Sequence, residues 1–315
     1  MSAVLVTGAG GAAGVAVIRS LTARGEHVVA VDTDPLAAGM FLAEDHATVA
    51  PAGTDSFLTG IDDVVKRFDV DAVLCTIAEE MIELAEHQTV LKDLGAAIWL
   101  PPIGAITTCI DKLAFAAAME NAALPTPATA AATAASDVAG IPGPWIVKPR
   151  RGRGSRDVYA VDDADELAWA CRRVPDAIVQ SRIAGREFTV DVLVDRDGMT
   201  AGAIPRWRLA TKAGISTQGR TFSDPTVSSV AARTAEMLGL RGPINVQGFV
   251  DPAGDAWIIE VNPRMSGGLP LTLAAGADIV GETLRATRGR PVRGDHLTFE
   301  PGVTMTRHLA EVFLR

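Results

Sequence analysis

Residues 259–268 read IEVNPRMSGG, and the fold turns on what this stretch can do at the end of a strand. Ile258 and Ile259 supply an apolar approach. Beyond them Glu260, Asn262 and Arg264 alternate, and alternate residues of an extended segment share one face. That face brings together a carboxylate, an amide oxygen and a guanidinium, a set able to hold a metal ion and an anion side by side. Mg²⁺ suits such hard oxygen ligands, since it takes one or two protein carboxylates and completes its shell with water and phosphate. Arg264 would then stand beside the metal-bound phosphate. The plainer alternative is a strand ending in a salt bridge, with Pro263 at a sheet edge.

Working back from this point, Ala256–Val261 and Ile244–Val250 read as a strand pair joined by Asp251–Asp255, with Gly254 at the turn. A helix is predicted over Ser228–Leu238. Another hairpin is predicted from Arg186–Val194 through the turn Asp195–Gly198 to Ala201–Ile204, after a short strand at Ala177–Gln180. Consecutive hairpins make this half α+β. Arg206, Arg208, Lys212 and Arg220 are spread through PRWRLATKAGISTQGR with Gly214 and Gly219, and read as a mobile loop over an acidic or phosphorylated substrate; an ordinary basic surface is the alternative.

Residues 148–156, KPRRGRGSR, place five cations and two glycines directly after the apolar strand Trp145–Val147. Glycine admits positive φ and close backbone approach, so successive N–H groups can line an anion site while Lys148 and an arginine neutralise phosphate. A triphosphate fits such a loop. Gln180, Ser181, Arg182 and Ile183, followed by Gly185, Arg186 and Glu187, read as a hinge between lobes. Its backbone can pair with an adenine edge, and Glu187 can accept from ribose hydroxyls. Asp111 and Lys112 fall in a helix predicted over Ile106–Ala122, and the Pro- and Ala-rich stretch Pro125–Gly143 reads as a connection.

The first hundred residues have another style. Ala3–Thr7 is an apolar strand, Gly8–Gly14 a glycine turn, Val15–Arg24 a helix and His27–Asp32 a second strand. Predicted helices at Ile61–Phe68 and Glu79–Leu94 alternate with strands at Ala72–Ile77 and Ala97–Leu100. Such alternation implies a parallel sheet covered on both faces. Thr7–Gly14, TGAGGAAG, has dinucleotide-fingerprint spacing, with Asp32 where a ribose-binding acid would stand. A short-chain reductase also needs a tyrosine with a lysine four residues on. The only tyrosine, Tyr159, is followed by Ala-Val-Asp-Asp.

Composition narrows the class. The chain has 315 residues, long for one domain, with 48% apolar, 21% charged and 5% aromatic residues and a formal net charge of −9. The acidic balance argues against general nucleic-acid or membrane-surface binding, which draws on a basic footprint. Cys75, Cys109 and Cys171 show no paired spacing, as expected of thiols in a reducing compartment. No signal-peptide pattern opens the sequence, and the uncharged stretch Asn121–Ser136 is broken by Pro125 and Pro127, so a cytoplasmic protein is expected.

Taken together, DKLAF, WIVKPRRGRGSRDV, VQSRIAGREFTVDV, NVQGFV and IIEVNPRMSGG follow one order and spacing. In this the chain resembles the ATP-grasp superfamily, in particular the carbamoyl-phosphate-synthase large-subunit-like branch. The resemblance implies an N-terminal parallel-sheet, Rossmann-like pre-ATP-grasp domain over residues 1–103. A two-lobed ATP-grasp domain would follow over 104–315, with lobes of about 104–182 and 183–315. It implies that Lys112 and Lys148 contact ATP phosphates and that the loop Arg151, Gly152, Gly154 and Ser155 folds over them. Gln180, Ser181, Arg182 and Ile183 would frame adenine and ribose, with Glu187 on the ribose. Gln247, Glu260 and Asn262 would share the metal, and Arg264, Lys148 and Asn262 would act in catalysis. Gln180 stands where the family often has an acid.

The implied activity is an ATP- and Mg²⁺-dependent ligation of a small-molecule carboxylate to an amine through an acyl phosphate, with ADP and phosphate released and Mn²⁺ a substitute metal. One ATP-grasp half without a glutaminase-like segment argues against authentic carbamoyl-phosphate synthesis. Alternatives are phosphorylation of a small carboxylate or bicarbonate, an NAD(P)-dependent reductase on the glycine turn, and a nucleotide sensor without turnover. A homodimer is the default assembly.

Overall fold

The computed structural model describes residues 2–132, 138–152, 154 and 156–314. Strand β1 (Ala3–Thr7), helix α1 (Ala12–Thr22) and strand β2 (His27–Asp32) form the expected β-α-β unit. β3 (Asp45–Thr48), α2 (Phe57–Phe68), β4 (Val70–Leu74), α3 (Met81–Glu86), α4 (Gln88–Asp93) and β5 (Ala97–Ile98) follow. The five strands pair in parallel in the order β3-β2-β1-β4-β5. β1 is wholly buried, as a strand covered on both faces must be.

The glycine turn lets α1 start tightly against β1. A Cβ on Gly14 would fall 2.2 Å from the carbonyl oxygen of Gly8, a contact no backbone tolerates. α1 then buries Ala13, Ala16, Val17, Ile18 and Leu21 at helical spacing.

Residues 103–121 correct the sequence reading. One helix is predicted over 106–122, but the chain forms α5 (Ile103–Ile110) and α6 (Lys112–Asn121), broken at Asp111. Asp111 is extended (φ −97, ψ 100), and its carboxylate accepts from the N–H groups of Leu113 and Ala114. A capping aspartate starts a new helix better than it continues an old one.

β6 (Thr129–Ala131), inside the predicted connection, joins β7 (Trp145–Pro149), β8 (Tyr159–Val161) and β9 (Ala177–Ser181) in a four-stranded antiparallel sheet of order β6-β9-β7-β8, covered by α7 (Ala164–Arg173). The chain then crosses to a six-stranded antiparallel sheet of order β14-β13-β10-β11-β12-β15. Its strands are β10 (Arg186–Val194), β11 (Thr200–Lys212), β12 (Ile215–Thr221), β13 (Gly242–Val250), β14 (Ala256–Asn262) and β15 (Thr304–Thr306). α8 (Pro225–Met237), α9 (Leu269–Ala274) and α10 (Ile279–Thr287) complete the fold.

The expected mobile loop at Arg206–Arg220 is the β11–β12 hairpin. Two of its arginines are fixed by acids of β10: Arg206 lies 2.8 Å from Asp191, and Arg208 pairs with Glu187. Neutralised in this way, a basic run can be built into a sheet.

One apolar core joins the ends of the chain. Val4, Val6, Val17 and Leu21 pack in a cluster that also contains Leu193, Met265, Leu269 and Val280. The division at residues 103 and 104 therefore remains a proposed one. Among the described residues no helix is long and apolar enough to cross a membrane, and the three cysteines are buried thiols.

Candidate active site

A cavity of about 390 Å³ lies between the four-stranded and six-stranded sheets. Lys148 reaches it from β7, where burial, opposed by the charge of Glu260 and aided by Lys112, lowers its pKa to about 8. Its ammonium donates to Gln180 Oε1 at 2.9 Å, and Gln180 Nε2 in turn donates to Thr129 Oγ1. Lys112 opens α6, and its ammonium donates to the Gly152 carbonyl at 2.9 Å. The Asp111 break thus aims Lys112 at the glycine loop. Asp111 binds Arg150 as well, which holds its carboxyl down at about 2.

Ser181, Arg182 and Ile183 line the cavity where the chain crosses between sheets. Arg182 is also tied to Asp162 by an ion pair. Glu187 lines the wall beyond, its carboxyl raised by burial against the opposing charge of Arg208.

At the far end Gln247 of β13 stands opposite Glu260 of β14. Asn262 Nδ2 donates to Glu260 Oε1 at 2.9 Å, and Arg264 Nη2 lies 3.4 Å from Asn262 Oδ1. The predicted face is formed, with Arg264 just past the strand end. Gln247, Glu260 and Asn262 offer one carboxylate and two amide oxygens, which fits a hard ion that completes its shell with phosphate and water. Another cluster, Asp278, Glu282 and His296, is instead crossed by cations: Arg24 pairs with Asp278 and Arg293 with Glu282.

Gly152 and Gly154 line the cavity; Arg151 does not, since its guanidinium lies 3.3 Å from Asp111 and is largely exposed. Ser155 is outside the described residues. Sequence reasoning passed over the apolar walls Ile146, Val158 and Phe249. The signal for two of them was period-two spacing, since Ile146 precedes Lys148 by two residues and Phe249 follows Gln247 by two. The glycine turn, by contrast, spends its ribose-type acid internally. Asp32 accepts from the N–H groups of Gly10 (2.7 Å) and Asp34 (3.0 Å).

Residues 173–309 match the family described as ATP-grasp in the biosynthetic pathway with Ter operon, and residues 4–99 match the PylC-like N-terminal domain. Residues 173–309 are an ATP-grasp domain, behind a PylC-like N-terminal domain. It is 27% identical over 263 residues to a D-alanine–D-alanine ligase of Stutzerimonas stutzeri, covering 73% of this chain and 81% of that one. It is 25% identical over 269 residues to the carbamoyl phosphate synthase large chain of Beutenbergia cavernae, of which this chain spans only 24% against 72% of its own length. Among solved structures, an L-amino acid ligase from Bacillus licheniformis shares the fold with a TM-score of 0.75 at 15% identity, over 96% of this chain and 78% of that one. The likeness to the solved L-amino acid ligase is one of fold, and the sequence match to the D-alanine–D-alanine ligase covers most of both chains.

Proposed function

We propose that this ATP-grasp enzyme joins a small carboxylic acid to an amine. A substrate carboxylate oxygen attacks the γ-phosphorus of ATP, forming an acyl phosphate as the bond to ADP breaks. The amine then adds to the acyl carbon, phosphate leaves, and the amine proton passes to solvent, giving an amide. The observation that carries this reading is the meeting of Lys112 and Lys148 with Glu260, Asn262 and Arg264 around one cavity.

In this reading the protein positions the reactants and neutralises charge, which is most of what phosphoryl transfer requires. Lys112 and Lys148 face the phosphates, and Gln180 through Ile183 with Glu187 hold adenosine against the apolar walls. Gln247, Glu260 and Asn262 would hold Mg²⁺, which when bound draws charge from the phosphate oxygens. Arg264 meets the oxygens that gain charge as the γ-phosphoryl moves.

The test is ADP release with Mg²⁺·ATP across amino acids and small carboxylates, with and without amines, and with hydroxylamine to trap an acyl phosphate as a hydroxamate. Acid-dependent ADP release with hydroxamate formation is expected. Tight ATP binding with no ADP release across the whole panel would overturn the reading in favour of a sensor.

A further inference from the structure

The six-stranded sheet turns a polar face to the nucleotide cavity. Cross-strand partners and alternate residues share that face: Glu187 and Thr189 of β10, Arg206 and Arg208 of β11, and Gln247 of β13. Phe188, Val190 and Val192 point the other way, into an apolar core.

Arg208 lines the cavity between Glu187 and Gln247, with a side chain only 8% exposed. Its Nη1 donates to Glu187 Oε1 and lies 3.3 Å from Gln247 Oε1. Its Nη2 donates to the Gly214 carbonyl at 2.8 Å, at the tip of the β11–β12 hairpin. Gln247 Nε2 donates to Asn245 Oδ1 at 2.9 Å, which turns the amide oxygen toward Arg208. One planar guanidinium thus ties together two strands and a hairpin tip. A lysine, with no rigid fork, cannot set three acceptors in fixed relation.

A cation in a nucleotide cleft can serve the phosphates or hold another side chain, and the committed donors decide between these roles. To reach a phosphate, Arg208 would have to release a half-buried carboxylate and leave it unpaired, which is costly. Glu187 gains from the opposite arrangement. Its Oε1 is held by Arg208, and among the described residues its Oε2 makes no hydrogen bond. Burial disfavours the charged form of Glu187, and the charge of Arg208 opposes that effect. A carboxylate pinned at one oxygen and open at the other accepts from a hydroxyl without first losing rotamer freedom.

We propose that Arg208 is a positioning residue for the sugar: by fixing Glu187 against Gln247 and the hairpin tip, it makes the site select a ribonucleotide over a deoxyribonucleotide. The place of Glu187 at the ribose rests on the ligase reading above. The role of Arg208 goes beyond that reading, because it assigns sugar selectivity to a residue of β11 that touches no part of the nucleotide.

Calorimetric Kd values for ADP, 2′-deoxyADP and 3′-deoxyADP with Mg²⁺ test this without turnover. The proteins are wild type, Arg208→Met, Arg208→Lys, Glu187→Gln and the double variant of Glu187→Gln with Arg208→Met. Wild type should bind at least one deoxy analogue about 10–100-fold more weakly than ADP, the usual range for one hydrogen bond to a charged group. In Arg208→Met that ratio should fall toward unity, and in Arg208→Lys it should recover only in part. Glu187→Gln should lose the ratio too, with no further change in the double variant. A lowered folded fraction does not alter the ratio, because all three nucleotides meet the same protein. Equal weakening of ADP and both deoxy analogues in Arg208→Met, with the ratio unchanged, makes Arg208 a phosphate contact and overturns the proposal. A wild-type ratio near unity for both analogues also overturns it. Neither result bears on acid-dependent ADP release; absence of that release with the ratio intact overturns the ligase reading and leaves the role of Arg208 standing.

Discussion

Lys148 donates to Gln180 Oε1 at 2.9 Å, so a lysine only 6% exposed has a neutral amide, not an acid, as its direct partner. The ammonium keeps its desolvation cost without a contacting carboxylate to offset it. Its pKa falls to about 8, and only the charge of Glu260 holds it that high.

ATP affinity should accordingly depend on pH just above neutrality. In the free protein Lys148 loses its proton as pH rises through about 8, and bound phosphate restores it, so binding takes up a proton and weakens above that pH by up to about tenfold per unit. Gln180→Glu supplies the missing acid and should move this weakening to higher pH. Calorimetric Kd values across pH would check it; identical profiles for the two proteins would refute the coupling.

Arg264→Ala and Glu260→Ala should leave the fold and the circular-dichroism melt near those of wild type. Each should cut acid-dependent ADP formation by a factor on the order of 10²–10³, the usual loss for one electrostatic contact to a developing charge. Turnover near the wild-type rate in either variant removes that residue from the mechanism.

Asp111 caps α6 and binds Arg150 at once. Asp111→Ala should lower stability by about 1–3 kcal/mol, combining a lost cap with a lost charged hydrogen bond, and should raise the KM for ATP by releasing Lys112. The folded pKa of about 2 lies below the unfolded value of 3.8, so this contribution is present above pH 3.8 and fades as pH falls toward 2. A variant as stable as wild type in urea at neutral pH would contradict the assignment.

Glu80 is buried beside Cys75 and Thr7, and burial raises its carboxyl to about 7. Here the sign is opposite. Between about 4.5 and 7 the folded state holds a proton that the unfolded state has lost, so this group's contribution falls as pH rises and levels off above 7. Glu80→Gln should raise Tm relative to wild type at pH 8 and much less at pH 4.5, as calorimetry would show. An equal change at both pH values would place the effect in packing.

Gly14→Ala should destabilise by on the order of 1–3 kcal/mol, because the new methyl meets the Gly8 carbonyl at 2.2 Å. NADPH should leave the melting temperature of wild type unchanged, whereas Mg²⁺·ATP should raise it. A NADPH shift that Gly14→Ala abolishes would restore a dinucleotide role for the turn.

Much of the fold was legible because its signals are local. Strands at His27–Asp32 and Arg186–Val194 have the bounds their residues predict, since period-two apolar patterns end at turn-forming residues. The shared face of Glu260 and Asn262 was readable from spacing alone, because a strand fixes the direction of every second side chain; Arg264, just beyond the strand end, lines the same cavity. The break at Asp111 was not, since an apolar 17-residue stretch hides the aspartate whose cap and Arg150 partner divide it.

The sequence by itself determined the β-α-β opening, the hairpin that begins at Arg186, the glycines after Lys148 and the carboxylate and amide oxygens on the last long strand. Only the tertiary structure decided that the basic run from Arg206 is a hairpin, that Lys148 pairs with an amide, and that Arg208 joins Glu187 to Gln247. The physical reason is distance along the chain. Backbone periodicity is set within a few residues, but the charge of Arg206 is neutralised by Asp191 of another strand, and residues 12 and 267 are brought together by a core spanning both ends of the molecule.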